Sequence, residues 1–320
     1  MEQSIEKWTG KVNEVTIGAT KEEGGTRSRK VAIGGATTLP FLKFEGEIPH
    51  PPVLAMEVWD TEPEEWPEIL KEPFRDVLNN PVQWAIKCEK EYNPDLICLR
   101  LASTNPDIKD TTGEEAANTV KKVLAATTLP LIIIGSGQAV KDTEIALPVC
   151  EAAKGERCLL GIAVQENYKT MTAACMSCGH AIIAESPIDI NLAKQLNILI
   201  SDMGFPGENV VMHHATGALG YGLEYTYSIM ERSRLAALQG DKMMSPPMMN
   251  FIAQEVWRAK EAKTSEADIS EWGPLYKRGP LWEFVTGMAF LQAGADLLVL
   301  AHPLTLENTR KVINNLMGQQ

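Results

Sequence analysis

The sequence predicts an α/β protein, a (β/α)8 TIM barrel preceded by an N-terminal β-hairpin arm. Three observations predict it. From residue 53 onward, short apolar runs of the kind that form strands buried on both faces alternate with helical patterns. Eight such units follow one another at about 30 residues each, and a parallel sheet of eight βα units closes on itself. The length, 320 residues, suits one barrel with one large core better than two small domains. A doubly wound open sheet shares much of this pattern, but the unit spacing favours the barrel.

Residues 1–52 form the arm and a Pro-rich lead-in, and residues 53–320 form the barrel. In the arm, VNEVTI (Val12–Ile17) and KVAI (Lys30–Ile33) read as short strands joined by a loop carrying Gly24 and Gly25. Such an arm caps one end of a domain or reaches a partner. The extended run Ile48-Pro49-His50-Pro51-Pro52 then leads into the first strand, Val53–Val58, which ends at Trp59-Asp60. An acidic, Pro-interrupted insertion (Thr61–Pro73) and a helix from about Pro81 to Tyr92 complete the first unit.

The second strand is Leu96–Leu101, ending in Ala102-Ser103-Thr104-Asn105, with a helix from about Glu114 to Ala126. Leu131–Ile134 is the third, ending in Gly135-Ser136-Gly137. Leu159–Val164 is the fourth, ending in Gln165-Glu166-Asn167, and Ala181–Ala184 the fifth, ending in Glu185-Ser186. The sixth, Asn209–His213, runs into His213, His214 and Thr216, then glycines at Gly217, Gly220 and Gly222. Leu223, Tyr227 and Met230 follow at helical spacing. Glycines there let the backbone approach a ligand closely, and helix N–H groups face whatever lies above the strand end. The seventh strand lies near Met248–Ile252, just after two prolines. Leu297–Leu300 is the eighth, ending in Ala301-His302-Pro303, with a last helix from Leu306 to Met317.

Composition narrows function. Hydrophobic residues make up 44%, as in a folded globular chain, and the net charge is −12. That balance argues against a nucleic-acid partner, because neutralising phosphates needs clustered Lys and Arg. No apolar run approaches the length of a membrane span and no charged-then-apolar leader opens the chain, so a cytoplasmic protein without membrane contact is expected. Of the six cysteines, Cys88, Cys98 and Cys158 fall in apolar patterns, and only Cys175-Met-Ser-Cys178 forms a close pair. No further ligands stand at cluster or zinc spacing, which fits reduced thiols without a metal. Met243, Met244, Met248 and Met249 either fill core gaps or mark a partner surface.

In a barrel of this kind the residues after each strand gather at one end and form the binding rim. Here they are Ser103, Thr104, Asn105, Ser136, Gln165, Asn167, Glu185, His213, His214, Thr216, Gly217, Asn250 and His302. Amides and hydroxyls dominate. No Lys stands at a strand end for Schiff-base chemistry, and Asp60 and Glu185 are too far apart in the rim to cage a divalent metal. Adjacent strand residues point to opposite faces, so His213 and His214 do not share a zinc ion. The expected site is a neutral, hydrogen-bonding cup for a large amide-bearing or pterin-like molecule, with no catalytic residue assigned.

VLAMEVWD (Val53–Asp60), DLICLRLASTNPD (Asp95–Asp107), LPLIIIGSG (Leu129–Gly137), NVVMHHATGALGYGLEYTYSIMERSR (Asn209–Arg234) and ADLLVLAHP (Ala295–Pro303) carry a family likeness. Across essentially the whole chain the sequence resembles the small, barrel subunit of the corrinoid iron–sulfur protein of the acetyl-CoA pathway. The resemblance implies a heterodimer with a larger subunit that holds both the iron–sulfur cluster and a corrinoid-binding domain. The corrinoid (cobalamin) would sit between that domain and this barrel's rim. It further implies two other partners: a methyltetrahydrofolate–corrinoid methyltransferase that loads the cobalt, and acetyl-CoA synthase, which receives the methyl group. The chain would chiefly position and shield. The alternative is a free-standing barrel methyltransferase binding a methylated pterin, with Asn105, Asn167 and Asn250 as candidate ligands and Glu185 or Asp60 assisting. A lyase or a barrel kept as scaffold is a third.

Overall fold

The computed structural model describes residues 5–318, so the outermost residues of the expected arm and barrel segments, 1–4 and 319–320, lie outside the described residues. Two strands, β1 (Glu14–Ile17) and β2 (Val31–Gly34), pair antiparallel. Eight more follow: β3 (Val53–Trp59), β4 (Leu96–Arg100), β5 (Leu131–Ile134), β6 (Leu159–Ala163), β7 (Ala181–Ser186), β8 (Val210–His214), β9 (Met248–Phe251) and β10 (Ala295–Leu300). Each of these pairs parallel with its sequence neighbour, and β10 pairs with β3, which closes the barrel. The (β/α)8 barrel and the hairpin arm are both present.

The strands alternate between two cores, because successive side chains leave a strand on opposite faces. Val53 and Ala55 of β3 and Leu96 and Cys98 of β4 point to the barrel axis. Leu54, Met56 and Val58, with Ile97 and Leu99, pack outward against the helices. All but the last residue of β3 are buried, which is why the strand reads as one apolar run. The helical layer comprises α1 (Glu68–Lys71), α2 (Pro81–Lys87), α3 (Gly113–Ala126), α4 (Ala139–Ala152), α5 (Tyr168–Cys178), α6 (Ile190–Asp202), α7 (Leu223–Leu238), α8 (Ile252–Val256), α9 (Lys260–Lys263), α10 (Leu275–Ala293) and α11 (Pro303–Leu316). The helix expected over Pro81–Tyr92 is α2 continued by one wide, π-helical turn at Cys88–Tyr92.

The prolines before β9 do not break the barrel. A proline lacks the N–H donor but keeps its carbonyl, and Pro247 O accepts from Met212 N at 2.8 Å. Met244, Met248 and Met249 are all buried, so this cluster fills core gaps. The acidic insertion folds back over β3 through Trp66, whose ring meets Trp59 and Trp84 edge-on at 5.8 and 5.6 Å. All six cysteines are free and buried.

The arm closes the amino end of the barrel. Val15, Ile17, Val31 and Ile33 join the same apolar cluster as Val53, Leu96, Leu159 and Ala181, the opening inward residues of four barrel strands. The hairpin loop is fastened by Arg27, which is nearly fully buried. Its Nη1 donates to Thr127 O and Leu129 O at 2.7 and 3.1 Å, Nη2 to Leu124 O at 2.7 Å, and Nε to Glu156 Oε2 at 2.8 Å. A buried guanidinium is tolerable only when its donors are used in this way. Gly34, at φ 83°, turns the chain out of β2; a Cβ there would stand 2.1 Å from Asn13 O. Truncating the plug in Ile17→Ala is expected to cost roughly 2–5 kcal/mol, read as a lower urea midpoint, and an unchanged midpoint would show that the arm does not seal the core.

Candidate functional site at the carboxyl end of the barrel

The inward positions that continue the Val53-Ala55 and Leu96-Cys98 series at the other end of the barrel are charged. Glu57 Oε1 accepts from Arg100 Nε at 2.5 Å, and both side chains are at most 5% exposed. Trp59 Nε1 donates to the same Glu57 oxygen at 3.0 Å, and Arg100 Nη2 donates to Gln254 Oε1 at 3.1 Å. The guanidinium lies 5.5 Å from the Trp59 ring centre and 5.9 Å from that of Phe251. Burial alone would lower the Arg100 pKa, but the facing Glu57 carboxylate outweighs it and holds the group above its ordinary range. The middle of the mouth is therefore filled by a stack of Trp59, Arg100 and Phe251 over Glu57.

A second chain of polar groups runs along the mouth from β7 to β9. Glu185 Oε2 lies 2.8 Å from His213 Nδ1, and His213 Nε2 lies 3.2 Å from Thr216 Oγ1. The same Thr216 oxygen is 3.5 Å from Asn250 Nδ2. Phe251 packs edge-on to the imidazole at 4.9 Å. Burial pushes the Glu185 carboxyl up, but the hydrogen bond and charge of His213 bring it below its ordinary value, so it is ionised at neutral pH. Asn250 is fully buried, and its Oδ1 has no hydrogen-bond partner. An orphaned buried carbonyl costs roughly 1–3 kcal/mol.

Much of the rest of the expected rim is used to hold the loops in place. Asp60 accepts from Ser103 N at 2.8 Å and Ser103 Oγ at 2.5 Å, and Asp142 accepts from Ser136 N and Oγ at 2.9 and 3.2 Å. Burial raises both carboxyls despite these bonds. Asn105 Oδ1 takes Asp107 N at 2.9 Å in a tight turn, and buried Asn167 bridges Val164 N and Ile162 O at 2.8 and 3.2 Å. Thr104 donates back to Leu101 O. Gly217 N donates to Thr226 Oγ1 at 3.0 Å, and a Cβ at Gly217 would meet Gly222 O at 2.5 Å. That glycine closes the turn and leaves no N–H for a ligand.

The two adjacent histidines part company. His214 turns away from the axis, between Ser186 Oγ at 3.2 Å and Ser233 Oγ at 3.0 Å, and burial lowers its pKa to about 3. It is a neutral clamp between β7, β8 and α7. His302 lies outside the mouth: it caps α11, stacks on Trp257 at 5.9 Å and lines an outer groove with Tyr92 and Arg310. Beneath it the fully buried Glu283 accepts from Ala301 N at 2.7 Å and His302 N at 3.1 Å, and burial raises its pKa to about 7. Among the described residues no group of three or more His, Cys, Asp or Glu side chains is placed to hold a metal ion.

The structure thus brings Glu185, His213, Thr216 and Asn250 together and leaves Gln165 beside them at the rim. Sequence reasoning by strand ends missed Glu57, Trp59, Arg100, Phe251 and Gln254, and with them the ion pair under the rim. A signal was there: Glu57 and Arg100 stand at the inward parity of otherwise apolar strands.

A family model described as the CO dehydrogenase/acetyl-CoA synthase delta subunit matches residues 14–303. The chain belongs to that family. It is 38% identical to the acetyl-CoA decarbonylase/synthase complex subunit delta of Archaeoglobus fulgidus, over 98% of this chain and 70% of that protein. It is 37% identical to subunit delta 1 of Methanosarcina thermophila, over 98% of this chain and 73% of that protein. The delta-subunit family is the corrinoid iron–sulfur small-subunit family that the strand-end segments resemble, and its members are parts of multi-subunit complexes. Solved structures add the fold alone. A dihydropteroate synthase of Xanthomonas albilineans with 4-aminobenzoic acid aligns at a TM-score of 0.56 and 13% identity, over 87% of this chain and 97% of that one. The Thermus thermophilus enzyme, in complex with 6HMPPP, aligns at a TM-score of 0.53 and 13% identity, over 88% of this chain and 100% of that one.

Two outcomes follow from the buried charges. Arg100→Ala strands the Glu57 carboxylate, and the expected loss is roughly 3–5 kcal/mol in urea unfolding; Glu57→Leu with Arg100→Met should recover part of it. Glu283 has a folded pKa of about 7 against an ordinary 4.5. Its raised value makes its contribution fullest below about pH 4.5, and that contribution is lost as pH rises through about 7. Glu283→Gln should flatten this part of a stability–pH profile measured by denaturant midpoints.

Proposed function

We propose that the chain is the small subunit of a two-subunit corrinoid iron–sulfur methyl carrier, and that its barrel mouth is a lid over a corrinoid held by the larger subunit. The observation that carries this is the form of the mouth. Its centre is filled by the Trp59–Arg100–Phe251 stack, so it offers a broad surface to lay a macrocycle against, while hydrogen-bonding groups, hydroxyl and amide beside the Glu185 carboxylate, border it. A deep pocket for a small substrate would need that space. A corrinoid fits the groups present: its periphery bears side-chain amides, and Gln165, Thr216 and Glu185 reach the rim with groups that can bond to amides.

When bound, the corrinoid supplies a cobalt centre that carries the methyl group. The residues of this chain do the rest by position. Thr216 and Gln165 offer hydrogen bonds without adding charge, and the filled mouth keeps water from the sheltered face. The iron–sulfur cluster belongs to the larger subunit in this reading. Methyl would arrive from methyltetrahydrofolate through a separate methyltransferase and leave to acetyl-CoA synthase, all in the cytoplasm. No helix among the described residues is long and apolar enough to cross a membrane.

Co-expression tests this. The chain with the large subunit should yield a complex that keeps its corrinoid through gel filtration, seen in the visible spectrum, while the large subunit alone loses it. The chain alone should not move methyl from methyltetrahydrofolate to free cobalamin; if it does, the pterin methyltransferase reading replaces this one.

A further inference from the structure

Beside the filled centre, one groove of about 310 Å³ opens at the rim between the loop after β6 and helix α6. Leu192 and Leu199 form part of its apolar wall, and Gln165, Gln195, Glu166 and Glu185 supply its polar groups. No Lys or Arg lines it. Glu185 is the group of consequence. Its Oε2 is tied to His213 Nδ1 at 2.8 Å, and its Oε1 is bonded to no described residue. Its side chain is 29% exposed, enough for a ligand to reach it. The lysine of α6, Lys194, is engaged elsewhere and pairs with Asp241 Oδ2 at 2.7 Å.

We infer that this groove is a specificity subsite for an uncharged primary-amide side chain at the edge of the ligand, with Glu185 Oε1 accepting its N–H and the two glutamine amides completing the contact. The inference rests on the corrinoid reading and adds to it which chemical form of the periphery the lid accepts. An amide has the N–H that a carboxylate lacks, and its aliphatic stem suits the leucine wall. A carboxylate in the same place would stand against the carboxylates of Glu185 and Glu166, with no Lys or Arg in the groove to offset it. The net lowering of the Glu185 pKa means that the repulsion operates at neutral pH. Glu185 is thus a positioning and selecting residue, with no part in bond making.

The test is equilibrium binding, followed by visible absorbance, of cobalamin and of its monocarboxylic derivatives, in which one peripheral amide is replaced by a carboxylate. The protein is the complex of this chain with the large subunit. For at least one isomer the dissociation constant should rise about tenfold or more over the parent, and the gap should close in a Glu185→Gln complex. Raising the salt toward about 1 M, where the screening length falls to ~3 Å, should also narrow the gap in the natural protein, a check that stands even if the variant fails to assemble. Equal binding of all forms, or a gap indifferent to both Glu185→Gln and salt, would overturn the inference while leaving the lid intact. Should the large subunit bind parent cobalamin equally well without this chain, the lid reading falls and the subsite with it.

Discussion

A closed barrel of eight strands must fill its own axis, and the rest of this molecule is arranged around how that is done. Along most of the axis aliphatic residues meet, but the two ends are solved differently. At the amino end the chain lays its own hairpin across the opening, so that Val15, Ile17, Val31 and Ile33 complete the apolar interior. At the carboxyl end the filling is ionic and aromatic, Glu57 with Arg100 between Trp59 and Phe251. A buried ion pair of this kind adds little net stability compared with apolar residues of the same size. Its presence at the carboxyl end, and not at the sealed one, fits a role in shaping a surface.

The barrel and the hairpin were legible because their signal is periodic. Strands buried on both faces leave continuous apolar runs such as VLAMEVW and LIII, and a run of eight with helices between allows few topologies. Even the strand behind two prolines was placed, since Pro247 needs only its carbonyl to pair. The π-helical turn at Cys88–Tyr92 was not legible, because it looks like one more turn of helix in the residue pattern.

The site was legible in location and less so in membership. Strand-end position says that a residue is near the mouth, not where its hydrogen bonds go. Ser103, Ser136 and Asn167 are near it, but Ser103 is taken up by Asp60 of the neighbouring loop, Ser136 by Asp142 of the following helix and Asn167 by its own loop; His302 sits at a strand end but caps the next helix. In the other direction, Glu57 and Arg100 lie inside strands and so fall outside any rule built on loops. The pair shows itself only when strand parity is followed across neighbouring strands, which needs the register that places Trp59 opposite Arg100. On one side of the mouth a short arc stays within reach of a ligand, Gln165, Glu185 and Thr216, backed by buried Asn250.

The hairpin has a consequence for how the chain reaches its native state. It is the first part of the described chain to be synthesised, yet its apolar face is covered by residues as late as Leu297 and Val299 of β10. Until the last strand is made, the earliest one has nothing complete to rest on. Ring closure and docking of the arm are therefore coupled across nearly the whole chain length, the kind of long-range dependence that slows acquisition of structure and leaves nascent chains adhesive in the meantime.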